Sequence, residues 1–143
     1  MNVAGIVGFA EACRIAAQEG SEAWARAAEL RAIVLEELRT VSDHRVNGGE
    51  TVVPHILSVS FLGVEGEALV IELDAEGYAV SAGPACSSAS AEPSPVLLAM
   101  GLPAEWARGT VRISFGPGNT PESARDLARA LTRAVDRLRA MRS

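Results

Sequence analysis

No lysine occurs among these 143 residues; all thirteen basic side chains are arginine. An enzyme that holds an aldehyde cofactor as a resting Schiff base needs a lysine amine to form it, so this polypeptide cannot tether such a group by itself. A coding bias toward arginine and alanine accounts for the missing lysine without softening that consequence. Aromatic residues make up only 4% of the chain, which leaves Ala, Leu, Val and Ile to build the core. Positive charge is in deficit too. A net charge of −5 argues against a nucleic-acid or anionic-membrane surface, because phosphate recognition relies on clustered cations.

No apolar run is long enough to span a bilayer, and Glu11 and Arg14 interrupt the opening MNVAGIVGFAEAC, which also lacks the basic stretch of a secretory signal. The cytoplasm is the expected compartment. The two cysteines, Cys13 and Cys86, are expected to be free thiols in such a chain rather than a disulfide. His44 and His55 stand far from ligand spacing to each other or to either cysteine, so no metal site is expected.

What remains is globular: 48% hydrophobic and 22% charged residues in a chain long enough for one core, read as a single domain over residues 1–143. Val3, Ile6, Val7, Ala10, Cys13 and Ala17 recur at helical spacing, predicting an amphipathic helix with Cys13 on its buried stripe. Gly20-Ser21 is expected to break or kink it, with a second stripe of Ala23, Ala27, Leu30, Val34 and Leu38 running on to Thr40. Residues 43–54, with Asn47-Gly48-Gly49, read as a loop.

Two strands are predicted at 55–61 and 110–115, each with one apolar face and one small polar face, and Arg112 falls on the polar one. Between them a helix over 65–76 should end at a left-handed Gly77 and lead into a short strand, Tyr78 to Ser81. Ser94-Pro95 opens a helix that ends at Gly101. Thr120-Pro121-Glu122 opens the last one, with a stripe of Ala124, Leu127, Leu131, Val135 and Leu138, and with Arg133, Arg137 and Arg139 suited to its dipole. The fold class is therefore α+β: a small antiparallel sheet of about three strands, covered by helices on one face, behind a long N-terminal helical segment. Residues 1–40 would be a helical connector and residues 41–143 the α/β body. The polar face is left to solvent or to another protein body.

One segment looks chemical. From Ser81 to Ser94 the chain reads SAGPACSSASAEPS, where nearly every side chain is too small to pack a core. Cys86 at its centre is followed by Ser87 and Ser88, able to donate hydrogen bonds to a thiolate, the reactive form of a nucleophile or sulfur carrier. An incidental cysteine in a linker-like turn would look the same, and the loop alone leaves both readings standing.

Four blocks in order, NVAGIVGFAEA, PHILSVSFLGVEGEALVIELD, SAGPACSSASAEPSPVLLAMGL and GTVRISFGPGNT, resemble the C-terminal part of cysteine desulfurases. These belong to the class V aminotransferase superfamily and bind pyridoxal phosphate. The resemblance implies the small-domain fold of fold type I enzymes, in the branch with a mobile cysteine loop. It implies that Cys86 attacks the sulfur of substrate cysteine, becomes a persulfide while alanine leaves, and passes the sulfur to an acceptor protein. It implies that Arg112 binds the substrate carboxylate through a bidentate fork; an ordinary arginine on a solvated strand is the alternative.

The large domain of such enzymes, with the Schiff-base lysine, the groups around the cofactor ring and the phosphate cup, has no counterpart here, and the resemblance covers only about the last third of a typical member. Pro84 stands where serine or another small residue is usual, and its fixed backbone angle should stiffen the loop. No cofactor is expected on this chain alone. Three readings follow: an inert small domain, one half of a split desulfurase whose partner brings lysine and cofactor, or a free-standing persulfide carrier or docking module. In relatives the first helix joins the two domains, so Ile6, Val7 and Phe9 should lack cover here and drive self-association through Val3–Ala17.

Overall fold

The computed structural model describes residues 1–49, 51–83 and 93–142. Its first element, α1 (Val3–Leu38), is one continuous helix, capped by Asn2, whose Oδ1 accepts from the Gly5 amide at 3.0 Å. The break expected at Gly20-Ser21 does not occur. A mid-helix glycine costs only about 1 kcal/mol relative to alanine, and the Ala, Glu and Arg residues on both sides favour helix. The two halves differ in burial instead. Every residue up to Arg26 is exposed, whereas Ala27, Leu30, Val34 and Leu38 are buried at helical spacing. Cys13, expected on a buried stripe, is exposed. Periodicity marks which residues share a face but not whether another element covers it, and among the described residues nothing covers that one. The bare apolar residues foreseen on the same segment are present, with Ile6 58%, Val7 62% and Phe9 73% exposed.

After α1 come β1 (His44–Asn47), β2 (Ile56–Phe61), α2 (Gly66–Ala75), α3 (Pro95–Ala99), α4 (Ala104–Arg108), β3 (Thr110–Ser114) and α5 (Pro121–Arg142). The strands form a three-stranded antiparallel sheet in the order β1-β2-β3. Two details of the predicted sheet change. Residues 43–54 are not all loop, because 44–47 pair with β2 as an edge strand. The stretch 78–81 contributes only a bridge, in which the Ser81 amide donates to the Arg112 carbonyl at 3.1 Å and the Arg112 amide to the Ser81 carbonyl at 2.6 Å. HRVN carries no apolar alternation of its own; its extended state rests on hydrogen bonds to β2, which local sequence does not display.

Leu57, Val59, Phe61, Val111 and Ile113 form the inner face of the sheet, buried against the second half of α1, against α5 and against Leu69 and Leu73 of α2. Both outer helices have legible ends. At α2 the Tyr78 amide donates to the Leu73 carbonyl and Gly77 adopts φ 88°, the left-handed closure that glycine permits. At α5 the Ser123 amide donates to Thr120 Oγ1 while Ser123 Oγ accepts from the Thr120 amide, a reciprocal cap.

The arginines of α5 act sideways rather than along the helix axis. Arg133 and Arg137 pair with Glu76 and Glu72 of the α2 segment. Arg139 donates to the carbonyls of Ser42, Asp43 and Leu62, tying α5 to both ends of the β1 hairpin region. Immediately before β3 the chain crosses β2 so closely that a Cβ on Gly109 would lie 2.0 Å from the Phe61 carbonyl oxygen.

Candidate functional site on the polar face of the sheet

Directly opposed residues of antiparallel strands share a face, so the register fixes what the outer surface presents. One row reads Asn47–Ser58–Arg112, extended past the edge of β3 by Ser81. The next row reads Arg45–Ser60–Thr110. The second row is largely closed: Ser60 is 0% and Thr110 4% exposed. The first is reachable, since Asn47 and Ser58 are half-buried and Arg112 is exposed.

Hydrogen bonds connect the two rows. Asn47 Nδ2 donates to Ser60 Oγ at 2.7 Å and to Ser58 Oγ at 3.1 Å; Ser60 Oγ and Thr110 Oγ1 are 2.6 Å apart, and Thr110 Oγ1 donates to the Trp106 carbonyl at 3.3 Å. Asn47 Oδ1 is buried without a donor. Arg112, the predicted carboxylate anchor, lies where the strand alternation put it. Its guanidinium has no hydrogen bond or ion pair among the described residues.

Sequence reasoning missed Asn47, read there as part of a loop, and α4, whose Trp106 ends the hydroxyl chain. Pro103 followed by Ala-Glu-Trp-Ala-Arg is a helix-start signal that could have found α4. Asn47 offered no local signal, because its role comes from register.

Cys86 and the stiffening assigned to Pro84 lie outside the described residues. The approach to that loop is described: Ser81, held to Arg112 by backbone bonds, donates from Oγ to the Gly83 carbonyl at 2.9 Å.

Other features stand apart from this face. A concavity of about 510 Å³ lies between the middle of α1 and the segment Phe115 to Pro117, with Trp24 and His55 meeting edge to face on its wall. His44 Nδ1 is 2.7 Å from the Val41 carbonyl. No three His, Cys, Asp or Glu side chains converge as a metal site among the described residues, and no helix formed by them is long and apolar enough to cross a membrane. Displaced proton affinities occur along α1: Arg14 holds the Glu11 carboxyl below its ordinary range, and partial burial lowers that of Arg31, which donates to the Ile56 carbonyl.

Residues 1–127 match the aminotransferase class-V family, and the chain belongs to that family. Within it the resemblance is to the cysteine desulfurases. The chain is 46% identical over 138 residues to cysteine desulfurase IscS of Vibrio cholerae, covering 95% of this chain and 33% of that protein. It is 38% identical over 141 residues to cysteine desulfurase IscS 1 of Archaeoglobus fulgidus, covering 98% and 37%. A solved NifS-like protein superposes with a TM-score of 0.79 at 31% identity, over 95% of this chain and 34% of the other. The chain thus spans about a third of the length of the curated relatives it matches, and the α+β small-domain fold expected from the sequence is the one found.

Proposed function

We propose that this domain supplies the sulfur-accepting thiol and the carboxylate anchor of a cysteine desulfurase, and that it completes no turnover by itself. The observation that carries the reading is Arg112: exposed on the polar face, without a side-chain partner among the described residues, and bridged through its backbone to Ser81, five positions before Cys86. An unpaired guanidinium fork matches a carboxylate in two parallel hydrogen bonds. In the proposed reaction the Cys86 thiolate forms an S–S bond to the sulfur of cysteine while the substrate C–S bond breaks. Cysteine and thiol become alanine and persulfide, with atoms and electrons balanced, and the persulfide sulfur then passes to an acceptor protein.

Pyridoxal phosphate supplies the electron sink for such C–S cleavage in this class of enzyme, and the residues here do not fit it as a resident group. The face offers a guanidinium, hydroxyls and an amide, and the chain has no lysine ε-amine for covalent attachment. A lysine-bearing large domain, in the same or another chain, is the partner this reading requires. Mixed with pyridoxal phosphate and L-cysteine, the 143-residue protein should release no alanine beyond a cofactor-only control, and adding a desulfurase large domain should restore release. Sustained turnover by this chain alone would overturn the proposal.

Residues 1–143 act as one unit in this reading, with residues 1–40 as connector, and the cytoplasm is the compartment that keeps Cys86 reduced. The uncovered apolar residues of α1 supply a second partner surface. Val3, Ile6, Val7 and Phe9 are each more than half exposed, and apolar surface of that kind is buried by association. Without a large domain the protein should form dimers or larger assemblies by light scattering, and Phe9→Glu should return it toward monomer. A strictly monomeric protein at high concentration would remove this element.

A further inference from the structure

We propose that the Ser58 hydroxyl is a second anchor, beside Arg112, for the carboxylate of an amino-acid substrate, and that Asn47 is the positioning residue that reserves its proton for that purpose. The inference rests on the reading of Arg112 given above and extends it to a residue that no sequence motif marked.

The direction of the hydrogen-bond chain settles where each proton goes. The Trp106 carbonyl can only accept, so Thr110 spends its hydroxyl proton there. The 2.6 Å contact between Ser60 and Thr110 allows either hydroxyl to donate; with the Thr110 proton on the Trp106 carbonyl, Ser60 is the donor. Ser60 Oγ is left to accept from Asn47, and only Nδ2 of the carboxamide can donate. That fixes the amide orientation, and the second Nδ2 hydrogen points to Ser58 Oγ. Ser58 therefore accepts from Asn47 and keeps a proton with no acceptor among the described residues.

The position of that spare donor gives it a use. Ser58 is directly opposite Arg112 in the β2–β3 register, which places Cβ atoms of such pairs about 4.5–5.5 Å apart. Ser60 and Thr110 are buried and anchor the chain, while Ser58 is the half-buried end that solutes reach. One open face thus presents an O–H donor beside a guanidinium without a side-chain partner among the described residues. It suits an anion with several lone-pair directions and disfavours a cation. A carboxylate can take the arginine fork and still accept from the hydroxyl.

The test is an NMR titration of the 15N-labelled 143-residue protein with L-alanine, following the Arg112 Nε–H resonance, with L-alaninamide as a probe lacking the carboxylate. L-Alanine should move the resonance and the amide should not. Ser58→Ala should weaken L-alanine binding by about tenfold to a hundredfold, the order expected for one hydrogen bond to a charged group. Ser58→Thr, which keeps the hydroxyl, should bind within about twofold of the parent. Asn47→Ala should weaken binding in the parent but have no further effect in the Ser58→Ala background, the signature of a residue acting through another. If Arg112→Gln abolishes binding while Ser58→Ala leaves it unchanged, the Ser58 inference is wrong and the carboxylate reading of the face stands. If Arg112→Gln leaves binding unchanged, or the parent binds L-alanine no better than its amide, both fall together. Equal losses for Ser58→Ala and Ser58→Thr would mark a packing effect and overturn the anchor role.

Discussion

A Cys86→Ser variant, supplied with a lysine-bearing desulfurase large domain, is expected to transfer sulfur from L-cysteine about a thousandfold more slowly, or not measurably. Removing the nucleophile of a catalytic set leaves only binding and positioning, and losses of that order or greater follow. A serine hydroxyl is hardly ionised near neutral pH and cannot form the S–S bond on which transfer depends. The measurement is alanine release together with intact mass, since the parent should gain one sulfur per chain.

Cys13 must be controlled in that experiment, because it is exposed on α1 and any persulfide donor can reach it. In a Cys13→Ser background the donor should load one sulfur atom, and adding Cys86→Ser should remove it. Undiminished transfer by Cys86→Ser with the large domain present would sink the nucleophile assignment.

Gly109→Ala is expected to cost upwards of about 3 kcal/mol in a domain whose whole stability is of order 5–15 kcal/mol. The added methyl carbon would stand 2.0 Å from the Phe61 carbonyl oxygen and 2.9 Å from that of Val64. Relief is blocked from both sides. The Gly109 carbonyl accepts from the Phe61 amide at 2.9 Å, and Phe61 is wholly buried in the core. Separating the two segments would therefore break a hydrogen bond and disturb the packed face of β2. Urea denaturation should show a large fall in midpoint. Gly20→Ala provides the contrast, since nothing lies within 4 Å of its Cβ position in mid-helix, and it should gain up to about 1 kcal/mol. Equal midpoints for Gly109→Ala and the parent would refute the close-approach argument.

The elements with strong periodicity or end signals were legible from the chain. The stripe Leu30, Val34 and Leu38, the alternation through Leu57, Val59 and Phe61, Gly77 after α2 and Thr120 before α5 all hold, because each reports a local constraint. Arg112 was legible for the same reason: alternation from Val111 and Ile113 allows it only the polar face. β1 was not legible, since four residues of mixed polarity become a strand only when β2 pairs with them. Nor was the use of Arg133 and Arg137, whose partners Glu76 and Glu72 are 57 and 65 residues away in the chain.

The sequence by itself determined the chemistry available: a thiol at position 86, an arginine on a polar strand face, and no amine to hold an aldehyde cofactor. Those are properties of residue identity and two-residue period, and they need no tertiary contact. Tertiary structure alone decided that Asn47, Ser58 and Arg112 share a row, that Ser60 bonds to Thr110 and Thr110 donates to the Trp106 carbonyl, and that the front half of α1 is exposed. Register and cover depend on which distant segments pair, and the free energy that selects them comes from burying Leu57, Val59, Phe61 and Leu131 together rather than from any local preference.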